Sequence, residues 1–159
     1  MSTKLKPGDT APDFELFDQN LNKFKLSDHL TKKNIVLFFY PKDDTKICTE
    51  EACLFRDKYE VFLEKGVEVI GISSDSIESH RHFSNKYRLP FPILSDLEGK
   101  VKKLYGIYKI LGLLSARKTF IINKKGRIEK IYTNLFSAHA HVEEALAALK
   151  IDEGNKEPR

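Results

Sequence analysis

Cys48 and Cys53 are the two thiols of this 159-residue chain. A close cysteine pair in a reducing compartment serves catalysis or metal binding more often than stapling. A disulfide between them would close a very short loop and remove little entropy from the unfolded chain, so stability is a poor reason for the pair. The chemistry open to such a residue is nucleophilic. The thiolate is the reacting form, and it is favoured at a helix N terminus or beside a cation. Cys48 meets the first condition if a helix begins just before it. The bland alternative is a small buried side chain, a common setting for unpaired cysteine.

The elements that would position the pair follow from periodicity. Cys48, Ala52, Phe55, Tyr59 and Phe62 recur at four- and three-residue steps, the stripe of one amphipathic helix that Gly66 closes. Glu50 and Glu51 are expected in its first turn, where carboxylates favour the positive end of the helix dipole. Before it, NIVLFFY (Asn34–Tyr40) is a continuous apolar run that predicts a strand buried on both faces, ended by Pro41. VEVIGIS (Val67–Ser73) predicts a second buried strand, and Ile77–Arg88 a helix. Leu89–Leu94 leads into a short strand, and DLEGKVKKLYG reads as a brief helix. Phe14–Leu16 and Lys23–Leu26, separated by DQNLN, predict an N-terminal β-hairpin. TFIIN and RIEKIYT around Lys124, Lys125 and Gly126 predict another. His141–Leu149 supplies a last amphipathic helix, and residues from about 152 to 159 read as a flexible tail.

This order predicts an α/β fold, a central mixed sheet flanked by helices, and the thioredoxin-like fold is its economical form. Functional loops follow the carboxyl ends of strands in such sheets, and the loop after Tyr40 leads straight to Cys48.

The pair carries a geometric condition. Five residues of α-helix give a rise of about 7.5 Å and a turn of about 140°, whereas bridged cysteines need Cα atoms within about 4.4–6.8 Å. If Cys48 and Cys53 bond, the first turn or two of the helix must unwind. The same pattern sets Cys53 off the stripe and nearer solvent.

Composition narrows the classes. Hydrophobic residues make up 41% of the chain, enough for one core, so residues 1–159 are expected to form a single domain. The formal charge of +4 comes from scattered lysines rather than a basic block, which argues against nucleic acid. MSTKLKPGDT has no apolar run that would serve as a signal or membrane span, so a cytoplasmic protein with no membrane partner is expected. His80 with His82, and His139 with His141, do not join the cysteines in a recognised ligand spacing, and no phosphate-binding glycine loop occurs. No metal and no cofactor is expected. The apolar stretch Tyr108–Arg117 reads as a dimer contact, a docking surface or core. A monomer is the expected state, with a dimer as the alternative.

PKDDTKICTEEACLFRD (Pro41–Asp57) resembles the active-site segment of the peroxiredoxins, in particular the bacterioferritin-comigratory-protein or PrxQ branch. Pro41, Thr45 and Cys48 match the family's Pro-x-x-x-Thr-x-x-Cys. KPGDTAPDFEL, LPFPILSD, RKTFIIN and HAHVEEALAALK resemble further family blocks, so the likeness runs from about Lys4 to Leu149. It implies a thiol-dependent peroxidase acting on hydrogen peroxide and organic hydroperoxides. Cys48 would be the peroxidatic cysteine, oxidised to a sulfenic acid. Thr45 would exchange hydrogen bonds with the peroxide, and Arg117 would stabilise the thiolate and the leaving oxygen. Pro41 would shield the sulfur and Glu51 orient the arginine. The resemblance also implies that Cys53 resolves the sulfenic acid as an intramolecular disulfide recycled by thioredoxin or a similar dithiol. Lys46 and Ile47 stand where the branch usually has Pro-Gly, which puts the pocket's shape and peroxide preference in question. Two other classes stay open: a thiol-based redox sensor or thiol-disulfide oxidoreductase, though Cys-x-x-Cys is missing, and a non-enzymatic chaperone on the same scaffold.

Overall fold

The computed structural model describes residues 4–107, 109–110 and 114–156. Its centre is the predicted apolar run, β3 (Asn34–Phe39), paired in parallel with β4 (Val67–Ser73) and antiparallel with β8 (Lys118–Ile122). β4 continues in parallel to β5 (Ile93–Ser95), and β1 (Glu15–Asp18) joins β5 antiparallel. β2 (Lys23–Lys25) closes the N-terminal hairpin at one edge, and β9 (Ile128–Thr133) forms the other edge, giving the order β2-β1-β5-β4-β3-β8-β9. Both hairpins and the mixed sheet agree with the sequence. The β8–β9 ladder carries an irregularity between Ile121 and Ile122.

Period two sorts the residues of β3 onto two faces. Val36, Phe38 and Tyr40 meet α2 (Lys46–Asp57), α3 (Tyr59–Glu64), α4 (Ile77–Tyr87) and α6 (Ala138–Lys156) in one core. Ile35, Leu37 and Phe39 meet α1 (Leu26–Leu30), α5 (Lys100–Leu104) and the N-terminal strands in the other. A strand buried on both faces cannot alternate polar and apolar residues, which is why NIVLFF does not. Phe55 of α2 is fully buried and stacks on Phe38 with ring centroids 4.6 Å apart. Truncating it to alanine costs about 3–5 kcal/mol. Gly71 of β4 lies under the same ring: a Cβ there would stand 2.9 Å from the tip of Phe38.

Four local expectations change. The single helix through Cys48 and Phe62 is two, α2 and α3, because the chain leaves helical geometry at Lys58 (φ −101°, ψ 5°). The apolar stripe survives the break because Cys48, Ala52 and Phe55 on α2 and Phe62 on α3 still face one core. Second, α2 begins at Lys46, so no acidic residue lies in its first turn. Glu50 is exposed beyond that turn, and Glu51 is fully buried. Third, the strand expected over Lys23–Leu26 ends at Lys25, and the short helix α1, which was not expected, follows it directly. Fourth, α6 starts three residues before His141 and its backbone runs on to Lys156, into the segment read as a tail. Of the apolar stretch Tyr108–Arg117, residues 108 and 111–113 lie outside the described residues. What is described there includes a two-residue ladder of β6 (Lys109–Ile110) with β7 (Leu114–Ser115), and Arg117.

Candidate active site

Pro41 ends the central strand because its ring removes the amide that a ladder would need. The loop then turns into α2 with Thr45 at the N-cap position, Lys46 and Ile47 as the first helical residues, and Cys48 still inside the first turn. Cys48 is 1% exposed. Its sulfur accepts a hydrogen bond from Arg117 Nη2 at 3.3 Å.

Arg117 comes from 69 residues further along, and sheet register delivers it. Phe39 at the end of β3 pairs with Lys118 at the start of β8, so the residue before β8 arrives beside the loop leading to Cys48. The guanidinium is held on three sides: Nη1 donates to Glu51 Oε1 at 2.7 Å, Nε to the Leu135 carbonyl at 3.1 Å, and Nη2 to the thiol. A planar fork with its donors committed in three directions has no rotamer freedom left, so its charge is fixed over the sulfur.

Burial raises the pKa of Glu51 to about 7, against the attraction of Arg117. Burial works against the charge of Arg117, yet Glu51 and Cys48 outweigh it and hold that pKa above the ordinary arginine value. Glu51 Oε2 has no hydrogen-bond partner among the described residues. What it faces is His141 Nδ1, 3.8 Å away. His141 Nε2 lies 2.7 Å from the Asn134 carbonyl, which only accepts, so that nitrogen carries the proton. Nδ1 therefore presents a lone pair to Thr119 Oγ1, which donates at 2.8 Å. Burial lowers the His141 pKa to about 4, with Arg117 adding to the effect and the bond to Asn134 opposing it. A neutral imidazole follows, so the approach to Glu51 is not an ordinary ion pair. The ring of Tyr132 meets His141 edge to face at 4.9 Å.

A second buried polar cluster holds the loop before α2. Asp43 Oδ1 accepts from the Tyr40 hydroxyl at 2.5 Å, and Oδ2 from Ser79 at 2.8 Å and from His80 Nδ1 at 2.7 Å. His80 Nε2 donates to the Leu94 carbonyl at 3.0 Å, and Asp75 Oδ2 accepts from the Asp43 amide and the Ser73 hydroxyl. Burial, reinforced by Asp43, holds the Tyr40 hydroxyl well above the ordinary tyrosine range. Asp43, Asp75 and His80 each have a potential metal-ligand atom within 4.8 Å of the others, but these atoms are committed to protein partners. Asp44, next in the chain, has φ 59° and bonds to Lys86 and Tyr87 of α4.

Of the residues singled out in the sequence, the fold brings Cys48, Arg117 and Glu51 together. Thr45 is exposed and its hydroxyl donates to the Lys42 carbonyl at 2.8 Å, so it neither caps α2 nor bonds to the thiol. Pro41 is half-buried at the loop entrance. Cys53 is partly exposed on α2, both thiols are free, and burial raises the Cys53 pKa. Lys46 is exposed and Ile47 half-buried. Sequence reading passed over Asp43 and Thr119, and it weighed His80 and His141 only as metal ligands without a recognised spacing. The one signal for His141 was its place beside Val142, on the face of α6 that Val142 and Ala145 bury.

A buried sulfur under a fixed guanidinium can attack an electrophilic oxygen, with the same cation receiving the charge that leaves. That is the chemistry of a thiol peroxidase, and likeness to known proteins agrees with it. Residues 7–131 match the model of the AhpC/TSA family. Chloroplastic peroxiredoxin Q of Arabidopsis thaliana is 45% identical over 148 residues, 92% of this chain and 68% of that one. The Sedum lineare protein of the same name is 43% identical over 153 residues, covering 92% and 79%. Among solved structures, peroxidoxin BcpB of Mycobacterium tuberculosis has a TM-score of 0.86 at 39% identity, covering 92% of this chain and 97% of that one. A PrxQ mutant of Xylella fastidiosa has 0.87 at 29%, covering 96% and 99%. The chain belongs to the AhpC/TSA family, in its peroxiredoxin Q branch, and is a thiol-dependent peroxidase on a thioredoxin-like fold.

Proposed function

We propose that Cys48 is the peroxidatic cysteine, that Cys53 resolves its sulfenic acid as an intramolecular disulfide, and that thioredoxin or a similar dithiol recycles the pair. The 3.3 Å bond from Arg117 to the Cys48 sulfur carries this reading. It pairs the buried thiol with the cation that stabilises a thiolate, while Cys53 is only half-buried and burial raises the pKa of its thiol. In the step itself the sulfur attacks the terminal peroxide oxygen, an S–O bond forms, the O–O bond breaks, and water or an alcohol departs after taking a proton. Arg117 binds the departing charge, Glu51 orients Arg117, and Pro41 shields the loop mouth. The Thr45 hydroxyl spends its proton on the Lys42 carbonyl, so its lone pairs accept from a peroxide O–H. Hydrogen peroxide and organic hydroperoxides are the substrates. A related Xanthomonas campestris bacterioferritin comigratory protein, 28% identical with TM-score 0.81, was solved in connection with alkyl peroxide reduction, which favours the organic class. Among the described residues no helix is long and apolar enough to cross a membrane. A cytoplasmic monomer is the expected form, although the plant relatives are named chloroplastic.

The test is peroxide consumption coupled to thioredoxin reduction. Cys48→Ser is expected to abolish it. Cys53→Ser is expected to allow one stoichiometric oxidation and then stop. Full turnover by the first variant would sink the mechanism, and undiminished turnover by the second would remove Cys53 from it.

A further inference from the structure

Cys48, Glu51, His141 and Arg117 are between 0% and 3% exposed. In such surroundings an uncompensated charge is costly. One cation, Arg117, lies between two groups able to be anions: the Cys48 sulfur at 3.3 Å and Glu51 Oε1 at 2.7 Å. The far oxygen of Glu51 has no donor, and the ring nitrogen it faces at 3.8 Å, His141 Nδ1, is unprotonated and spends its one lone pair on the Thr119 hydroxyl. A carboxylate oxygen buried without a donor is costly to keep charged, whereas a proton on it removes the charge. The other groups facing this pair are the neutral Thr119 hydroxyl and the Tyr132 ring.

We propose that Glu51 holds a proton while Cys48 is a thiolate and releases it when the thiolate is oxidised, with the neutral His141 facing its far oxygen and favouring the protonated form. The proposal rests on Cys48 being the peroxidatic residue. Before reaction the buried charges are the thiolate and Arg117, with Glu51 and His141 both neutral. The thiolate then attacks the terminal oxygen of the peroxide: sulfur is oxidised, the peroxide is reduced, the S–O bond forms and the O–O bond breaks. Cys48 becomes a neutral sulfenic acid, and the departing hydroxide or alkoxide takes up a proton. Glu51 gives up its proton at this point and becomes the carboxylate that balances Arg117. The buried site is neutral at both ends of the step, and solvent supplies no net proton. Glu51 stores the proton and His141 positions it, and neither touches the substrate. The pKa of Glu51, raised by burial to about 7, places its proton near the range where such a transfer is useful.

The experiment is a single-turnover proton count on the Cys53→Ser protein, mixed with one equivalent of hydrogen peroxide just below pH 7 in weak buffer with an indicator dye. Reaction-induced infrared difference spectra are recorded in parallel. The expected result is net proton uptake close to zero, with a carboxylic acid band lost and a carboxylate band gained. Adding Glu51→Gln should restore uptake to one proton per peroxide and erase the infrared change, since an amide cannot supply the proton. Adding His141→Gln to Cys53→Ser should shift the count toward one, and an unchanged count there overturns the part given to His141. Full uptake in the Cys53→Ser protein, with no change in the carboxyl bands, overturns the store while leaving the peroxidatic reading intact. Failure of that protein to consume peroxide at all overturns the peroxidatic reading instead.

Discussion

The two buried polar clusters flanking the start of α2 each set a buried carboxylate near a buried histidine, and they are built to opposite rules. Around Asp43, the carboxylate oxygens and both nitrogens of His80 have near partners: the Tyr40 hydroxyl just past β3, Ser79 and His80 of α4, the Asp43 carboxylate itself, and the Leu94 carbonyl of β5. Around Glu51, one carboxylate oxygen has a partner and the other has none. A fully paired network is rigid and specifies one arrangement, whereas an incompletely paired one stores free energy that a reaction can release. The Asp43 cluster therefore reads as the mount for the loop and the Glu51 cluster as the working part. The difference is also one of position: Arg117 links Glu51 directly to the sulfur, and among the described residues no comparable side chain links Asp43 to it.

That contrast breaks if the two clusters respond alike to mutation. The largest expected effect is on catalysis. Arg117→Met should reduce kcat/KM for peroxide by about 10²–10³, the cost of removing one preorganised charge-stabilising donor. Melting curves check that the loss is chemical: a fall in stability large enough to unfold the variant would assign Arg117 to the fold instead. Next comes Asp43→Ala, which should cost about 3–5 kcal/mol in denaturant unfolding, because it leaves buried His80 and the Tyr40 hydroxyl without their acceptor. The rate of its folded fraction should fall far less than that of Arg117→Met. Equal losses of rate would erase the distinction between mount and working part.

A smaller effect sharpens the contrast through pH. His141 has its pKa lowered to about 4 in the folded protein, from about 6.5 when unfolded. The unfolded state thus binds the proton more tightly in that interval, so the contribution of His141 is present above about pH 6.5 and is lost as pH falls toward about 4. His141→Gln should be less stable than the parent at neutral pH, with the gap narrowing through that window. A gap independent of pH would show that His141 contributes packing alone.

Much of this was legible from the chain. The apolar run Asn34–Tyr40, the four- and three-residue stripe from Cys48 and the glycine turn at Gly126 are local patterns, and each gave an element where expected. The break at Lys58 was not legible, since the residues from Leu54 to Tyr59 are compatible with continuous helix. Glu51 was expected in the first turn, where its charge would suit a helix dipole; its pairing with Arg117 was implied by the family resemblance and not by local pattern, since the partner lies 66 residues away, just before β8.

The sequence by itself determined that two thiols, and no others, stand beside the end of a central strand, and that Cys48 begins a helix while Cys53 lies off its buried stripe. Those statements depend on spacing along one segment. Only the tertiary structure decided which charges meet the sulfur. The antiparallel register of β3 with β8 carries Arg117 across 69 residues to Cys48, and the packing of α6 on α2 brings His141 to the bare oxygen of Glu51. Such meetings are set by how sheet and helices close over a shared core, and burial then gives each charge a weight that no local pattern of residues expresses.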